Sequence, residues 1–432
     1  MIVNKLNLES NEIKTFRLHI SYSILEGIIV GILVLNQFVF IKSLNGSSYL
    51  LGILFQFSVI AFIFLIFFNE FISRTNNKKK MLRTMSFITR LPLIVFLFFP
   101  TNIAGIIGNQ TYNYIFLLVF LIFYLSDPII FPTTNLLLKN NYRHKNFGKL
   151  YGYSMTIKNI IALVTTFIYG FLLDLDNYVF VYVFPIMGIL GIISIFLLSN
   201  IRFEETGKDT VKIGFLSSIF KSFMNMKDII KTDKSFRDFE IGFMLYGFSF
   251  MITVTIITLF FDKVLNLNYS SVAFYKNAYL IVAIILTPFF GRLIGKIDPR
   301  KFAIFTFIAM LLSIFGLILT DLFPYNFEFF GIKFYWMLMT YVSFYGIFTA
   351  TMVLLWHIGS AYFCKDNEAD MYQSVHLSAT GVRGLFAPIV GVIIYEMIGF
   401  LGTFFIAIGV LFIAILVMAR SYKKKEKVNS ID

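Results

Sequence analysis

Apolar runs of about twenty residues recur along this chain, and no other feature constrains its fold so strongly. Twelve such runs lie near 18–41, 49–68, 84–107, 112–138, 150–173, 177–199, 238–261, 273–295, 301–321, 335–362, 371–395 and 398–420. Lipid offers no partner to a backbone N–H or C=O, so only helices and closed barrels cross it. Barrel strands would alternate apolar and polar in segments of about ten residues. The stretch from Val59 to Ile66 is continuously apolar instead. Hydrophobic residues make up 58% of the 432 and charged residues 14%, against about 25% charged in a soluble domain. So few charges cannot cover a water-facing surface. The chain is expected to be an all-α polytopic membrane protein with twelve spans. Its first run is too long for a cleavable signal, follows Glu9 and Glu12, and lacks a small-residue cleavage site. It is expected to stay as span one.

The net charge of +13 reads as topology. With the N-terminus inside, thirty Lys and Arg fall on inner segments, and only Lys42, Lys263 and Lys333 fall outside. Cytoplasmic loops concentrate these residues. Both termini are therefore expected in the cytoplasm, in a cytoplasmic (inner) membrane. The longest polar segment divides the chain. We expect an N-terminal six-helix bundle at 1–200, a linker at 201–237, a second bundle at 238–420 and a basic tail at 421–432. Leu216, Ile219, Phe220, Phe223 and Ile230 of the linker share one helical face. Lys212, Lys221, Lys227 and Lys231 lie elsewhere on it. That pattern suits a helix on the inner leaflet among anionic lipids, or a solvated tether.

Several function classes are excluded. Cys364 is the one cysteine, so no intrachain disulfide and no cysteine metal cluster is expected. No phosphate-binding Gly-x-x-x-x-Gly-Lys-Ser/Thr loop and no His-Glu-x-x-His site occurs, which leaves no ATP-driven pump, metal site or cofactor to expect. His376 and Ser378 are neighbours without an obvious carboxylate partner, so an enzyme is not expected. Glu204, Glu205, Asp209, Asp228 and Asp233 interrupt the basic linker, which argues against nucleic acid.

The halves look duplicated. Asn69 to Lys78 follows span two as Gly291 to Arg300 follows span eight, at an offset of 222. Gly170-Phe171-Leu172-Leu173 and Gly391-Val392-Ile393-Ile394 align at 221. Parallel repeats are an established transporter plan. The second loop resembles the cytoplasmic loop signature of the major facilitator superfamily. Gly291, Lys296, Arg300 and Lys301 match, with Asp298 displaced by three. Arg74 and Lys78 match in the first-half copy. A small residue at such a hairpin lets helices approach, and cations there pair with helix C-terminal ends. The resemblance implies the fold of that superfamily: two six-helix bundles with a parallel pseudo-twofold repeat, rocking around a central cavity. Ala387-Pro388-Ile389-Val390-Gly391 resembles the Gly-Pro-x-x-Gly element that exchangers of the superfamily carry on span five. Span five here, Tyr153 to Leu173, has no proline, which counts against the drug/proton antiporter subgroup.

A charge at the bilayer centre costs about 2.5–3.5 kcal/mol on insertion scales, so each one is a candidate for function. At ~1.5 Å per residue, Glu26 on span one and Lys158 on span five lie on the order of 12 Å from the inner end. Asp127 on span four and Arg383 on span eleven lie near mid-membrane. Gln373, His376, Thr380 and Arg383 form one polar helical stripe, with Gly381 and Gly384 beside the arginine. Asp127 is flanked by Ser126 and Pro128, with Pro132 following, and prolines permit a bend at a cavity. In the superfamily, spans one, four, seven and ten line the cavity with five and eleven beside them. The resemblance therefore implies that Glu26, Asp127, Lys158 and Arg383 face it. Blander readings stand beside these. Arg90 and Lys276 are expected to snorkel to an interface, and Lys158 has the same option. Glu26 and Asp127 could serve only as ion-pair partners of Lys158 and Arg383. His376 and His357 read as ordinary polar contacts. Trp336 and Trp356, roughly 30 Å apart along a helix, read as belts at the two interfaces. The phenylalanines read chiefly as lipid-facing bulk.

The resulting expectation is a monomeric secondary active transporter, a symporter or antiporter working by alternating access. Protons on Glu26 or Asp127 would couple the flux. Two cavity cations point to an anionic or carboxylate-bearing small organic solute. Two other readings remain open at this point: a multidrug efflux exporter, and a non-transporting membrane receptor or assembly protein that keeps the fold.

Overall fold

Helix is the required solution for the apolar runs, and a computed structural model of the chain realises it. The structure describes residues 8–63, 77–106, 109–202, 226–294, 296–364 and 369–429, together with Ile72, Thr75 and Met224. Arg74, Lys365 and most of the linker face, Lys212 and Leu216 to Phe223 among it, lie outside the described residues. Ten helical stretches are long and apolar enough to cross a membrane. One of them, Met371–Lys424, turns at Gly399, which has φ +73°. Ser48–Ile63 adds a shorter apolar helix. The twelve segments match the twelve spans.

Two spans differ from the sequence reading. Span three is the helix Lys78–Arg90 continued as a tighter 3-10 turn over Leu91–Phe98. Pro92 removes a backbone donor there, and the helix stops before Pro100. Span ten starts at Leu338 rather than at 335. The residues before it form a hairpin of β1 (Asn326–Phe329) and β2 (Ile332–Tyr335). The alternating Phe-Glu-Phe and Ile-Lys-Phe-Tyr pattern suits strand pairing, and Tyr335 closes the hairpin instead of opening the span.

The described residues group into two compact units. The first contains residues up to Leu50 and from Phe64 to Phe215. The second contains Leu51–Ile63 and everything from Leu216 on. The short helix of span two thus divides, its later part packing in the second unit. There Gln56 Nε2 donates to the Leu385 carbonyl at 2.6 Å, at the break between Gly384 and Ala387.

The units repeat at an offset of 221. Span one ends in a wide π-type turn over Val39–Ser43, and span seven in another over Phe260–Val264. Asn45 and Asn266 follow with φ 51° and 47°. Asparagine tolerates that left-handed conformation better than most residues. The next helices start at Ser48 and Tyr269. The helices of spans three and nine are capped by Asn77 and Asp298, whose side chains accept from Lys80 N and Arg300 N.

Each unit has its own aromatic core. In the first, Phe96, Phe116, Phe120, Phe180 and Phe184 are wholly buried and packed ring on ring. In the second, Phe236, Phe239, Phe243 and Phe307 are likewise buried, with Tyr246 stacked on Phe307 at 4.8 Å. The reading of phenylalanine as chiefly lipid-facing is corrected here. Helices inside a membrane associate through packing, and many of these rings supply it.

Candidate functional site

In the first unit the polar centre is built around a broken span. The helix Thr111–Tyr124 stops at Leu125-Ser126, and Asp127–Asn141 begins a new helix with Pro128 in its first turn. Arg90 ends the helix of span three and reaches this break. Its NH1 donates to the Phe123 carbonyl at 3.0 Å and to Ser126 Oγ at 2.9 Å. The guanidinium lies 3.8 Å over the Phe123 ring, and the side chain is 3% exposed. Gly191 of span six makes room, since a Cβ there would sit 3.0 Å from Arg90 Cδ. Arg90 therefore does not snorkel. A break in one helix and a glycine on another accommodate it inside the unit.

Two carboxylates share this cation. Glu26 is half-buried and accepts from Ser194 Oγ at 2.7 Å. Asp127 sits exposed in the first turn of its helix. Arg90 lies within electrostatic range of both. Asp127 in turn feels Arg90, Glu26 and Lys158. Lys158 is half-buried on the helix His144–Leu175. The structure thus brings Glu26, Asp127 and Lys158 together with an arginine that sequence reasoning had set aside.

The second unit holds a comparable centre. His376 and Arg383 lie on Ala369–Gly384, 2% and 3% exposed. His376 Nδ1 is 2.9 Å from Glu240 Oε1 on span seven. Nε2 has no hydrogen-bond partner among the described residues. Thus His376 does have a carboxylate partner, one that chain distance concealed. Its ring also packs edge-on against Phe243 and Trp356, with centroids 4.5 and 4.8 Å away. Trp356 is therefore a half-buried neighbour of His376 at the end of its span.

Arg383 NH1 donates to the Phe243 carbonyl at 2.7 Å. The guanidinium lies 5.8 Å from the Tyr246 ring centroid and within electrostatic range of Glu240. Gly247 gives it space, since a Cβ there would lie 1.8 Å from Arg383 Cζ. Thr380 bonds back to the His376 carbonyl. Gln373 bonds the Trp356 carbonyl and Ser360.

Breaking a buried pair by removing one partner costs about 3–5 kcal/mol, and removing both is often close to neutral. Glu240→Ala is therefore expected to lower the unfolding midpoint in detergent clearly, and Glu240→Ala/His376→Leu to recover part of the loss. Additive losses would mean that the pair is not coupled.

The loop residues have mostly structural partners. Lys78 Nζ donates to the carbonyls of Ile72 and Thr75. Asp298 caps its own helix and holds Arg300 through two further bonds of 3.0 Å. Arg300, 1% exposed, reaches Ser421 on the helix Ala387–Asn429. Arg83 makes a contact of similar kind in the first unit, to Ser199 and Asn200. Lys301 lies 4.3 Å from the Tyr422 ring. Lys296 is exposed. Gly291 is also exposed, with only Leu354 Cδ2 within 4.0 Å of an added Cβ, so no helix approach depends on it.

Sequence reasoning missed Arg90 as a buried group, and missed Glu240, Ser194 and Trp356 altogether as site members. Glu240 carries the same signal as Glu26, an acid inside an apolar run, but lies near the start of span seven.

A sequence model described as Major Facilitator Superfamily matches residues 18–332 and 241–431. The chain belongs to that superfamily. No curated protein matches it in sequence. The nucleoside transporter NupG has a TM-score of 0.67 at 14% identity, covering 96% of this chain and 100% of its own. The peptide transporter POT in complex with sulfate gives 0.67 at 11%, covering 95% and 94%. A D-xylose-proton symporter gives 0.62 at 14%, covering 94% and 96%. At these identities the likeness establishes the fold. The chain is an integral membrane transporter of the superfamily and not an enzyme.

Proposed function

We propose that the chain is a proton-coupled secondary transporter of a small polar organic solute. It works by alternating access in a cytoplasmic membrane, with both termini on the cytoplasmic side. The observation that carries this reading is the group of Glu26, Asp127, Arg90 and Lys158 in the first unit. Two carboxylates and two cations in an otherwise apolar bundle form a balanced set, and one arriving proton unbalances it. That supports a proton as the coupling ion, as does the naming of one structural neighbour as a proton symporter. Lys158 offers an anionic group on the solute its counter-charge. Arg383 is already engaged by a backbone carbonyl and belongs to the packing and gating of span eleven.

The test starts with purified protein. A ligand that binds the native state raises apparent stability by mass action. Nucleosides, pentoses, dipeptides and organic anions are screened by unfolding midpoint. Any hit is then loaded into proteoliposomes under an imposed pH gradient. The reading requires a hit whose uptake follows the gradient. A hit that exchanges but never accumulates removes the proton, and absence of flux for every stabilising ligand removes transport.

A further inference from the structure

The connection between spans nine and ten turns its apolar face outward. β1 and β2 are joined by Phe330-Gly331, with φ 50° and 73°, a two-residue turn of the type that matches strand twist. Side chains alternate across the pair. Asn326, Glu328, Lys333 and Tyr335 share one face, and Phe327, Phe329, Ile332 and Phe334 the other.

The first face is pinned to the unit by its side chains: Lys333 Nζ donates to the Asn266 carbonyl at 2.9 Å and Tyr335 Oη to the Leu265 carbonyl at 3.0 Å. The outer edge of β2 is pinned as well. Lys333 N donates to Ser271 Oγ at 2.9 Å, Tyr275 Oη to the Lys333 carbonyl at 3.0 Å, and Tyr335 N to Tyr275 Oη at 2.6 Å. Asn268 Nδ2 donates to the Gly331 carbonyl at 2.7 Å, beside the tip. These bonds fix the ribbon and hold the second face away from the unit's own core. There Phe327, Phe334 and Trp336 cluster with centroids 5.0 to 5.6 Å apart. Phe329 is 63% exposed, Phe330 89% and Trp336 61%. Phe330 also occupies a left-handed position that disfavours a bulky side chain.

We propose that this hairpin is a membrane-interface anchor, its aromatic face inserted among the headgroups and upper acyl chains of the adjoining leaflet. The occupant follows from continuity with the lipid-facing surface. Phe305, Ile308, Phe315 and Leu322 are exposed on one stripe of the span-nine helix, at spacings of three and seven, and the stripe runs through Phe323 into the hairpin. The hairpin's charges, Glu328 and Lys333, lie on the opposite face. Tryptophan and other aromatics concentrate at this depth because they combine an apolar body with a polar edge.

The chain has two tryptophans. Trp356→Phe therefore leaves Trp336 as the sole reporter. This variant is reconstituted in vesicles of phosphatidylcholine and phosphatidylglycerol, with part of the phosphatidylcholine brominated high in its acyl chains. Blue-shifted emission, quenched strongly by the brominated lipid and weakly by aqueous iodide, is the expected result. Adding Phe329→Ser and Phe330→Ser should shift the emission red and raise iodide quenching, with the unfolding midpoint retained. Strong iodide quenching without bromolipid quenching would overturn the anchor by placing the face in water. Insensitivity to both would overturn it in favour of a second copy or another protein covering the face.

Discussion

Asp127→Asn and Glu26→Gln are each expected to abolish gradient-driven accumulation while leaving downhill exchange of the same solute. An amide keeps the shape and an acceptor oxygen, so Gln at position 26 can still accept from Ser194 Oγ. What it loses is the capacity to take up a proton. With one proton per solute, each pH unit across the membrane sustains roughly tenfold accumulation, since both correspond to ~1.4 kcal/mol. The uncoupled variants should therefore fall to a ratio near one in proteoliposomes. The two positions are not independent, because Arg90 lies within range of both acids. Removing one carboxylate leaves the other facing the buried guanidinium. Removing both leaves it with backbone and hydroxyl partners alone, and an uncompensated buried charge is strongly destabilising. Each single variant should thus unfold near the wild-type midpoint, and the double variant clearly below it. Full accumulation in both single variants would exclude these residues as the proton sites.

The membrane fold was legible because hydrocarbon leaves few alternatives. Runs of apolar residues give the spans directly, and the second polar loop gives the superfamily. The repeat was legible too, but its sharper mark was overlooked. Phe40-x-Lys42-x-Leu44-Asn45 and Phe261-x-Lys263-x-Leu265-Asn266 stand 221 residues apart and build the same wide turn. Arg90 shows why the site was harder. A charge on a peripheral span looks like a snorkelling residue until the partners from other helices are known. Its partners are the Phe123 carbonyl, at the break in span four, and the space over Gly191, both set by three-dimensional packing. Glu240 and His376 lie 136 residues apart in sequence, so their pairing has no local signature either. The hairpin lay in the connection before span ten, where four-residue strands are too short for their alternation to stand out beside the long apolar runs.

Arg90 and Arg383 share a mode of burial that explains why charges survive in these bundles. Each donates NH1 to a carbonyl of another helix, lies near an aromatic ring, rests on a glycine, and keeps Nε without a hydrogen-bond partner. Each has a carboxylate in range that is not a direct ion-pair partner. Neither arginine is closed into a direct ion pair; each guanidinium is held by neutral groups with its counter-charge nearby.

Gly31→Val is expected to give the largest loss of stability among single substitutions in the first unit. Gly27 and Gly31 lie one turn apart on span one, with Lys158 and Ala162 one turn apart on span five. A Cβ at Gly31 would sit 2.6 Å from the Ala162 carbonyl oxygen, and one at Gly27 2.6 Å from that of Lys158. Small residues at such spacing let transmembrane helices touch backbone to backbone. Thr166 exploits the approach, its Oγ1 donating to the Gly31 carbonyl at 3.0 Å. A valine there meets helical backbone and cannot be relieved by a rotamer change. Overpacking costs about 1–3 kcal/mol in ordinary cores, and two rigid contacts put this site at the upper end or beyond. The helices would have to separate, which also moves Lys158 away from span one, where Glu26 adjoins Gly27, and should weaken coupled uptake in the protein that still folds. Gly152 and Gly409 supply the contrast, since nothing lies within 4 Å of a Cβ at either. Alanine there should be neutral or stabilising, by up to about 1 kcal/mol from helix propensity. Thermal unfolding in detergent, with proteolysis of the first unit as a second readout, separates the two classes. An unchanged midpoint for Gly31→Val would mean that spans one and five do not meet at these glycines, and the position assigned to Lys158 would fall with that contact.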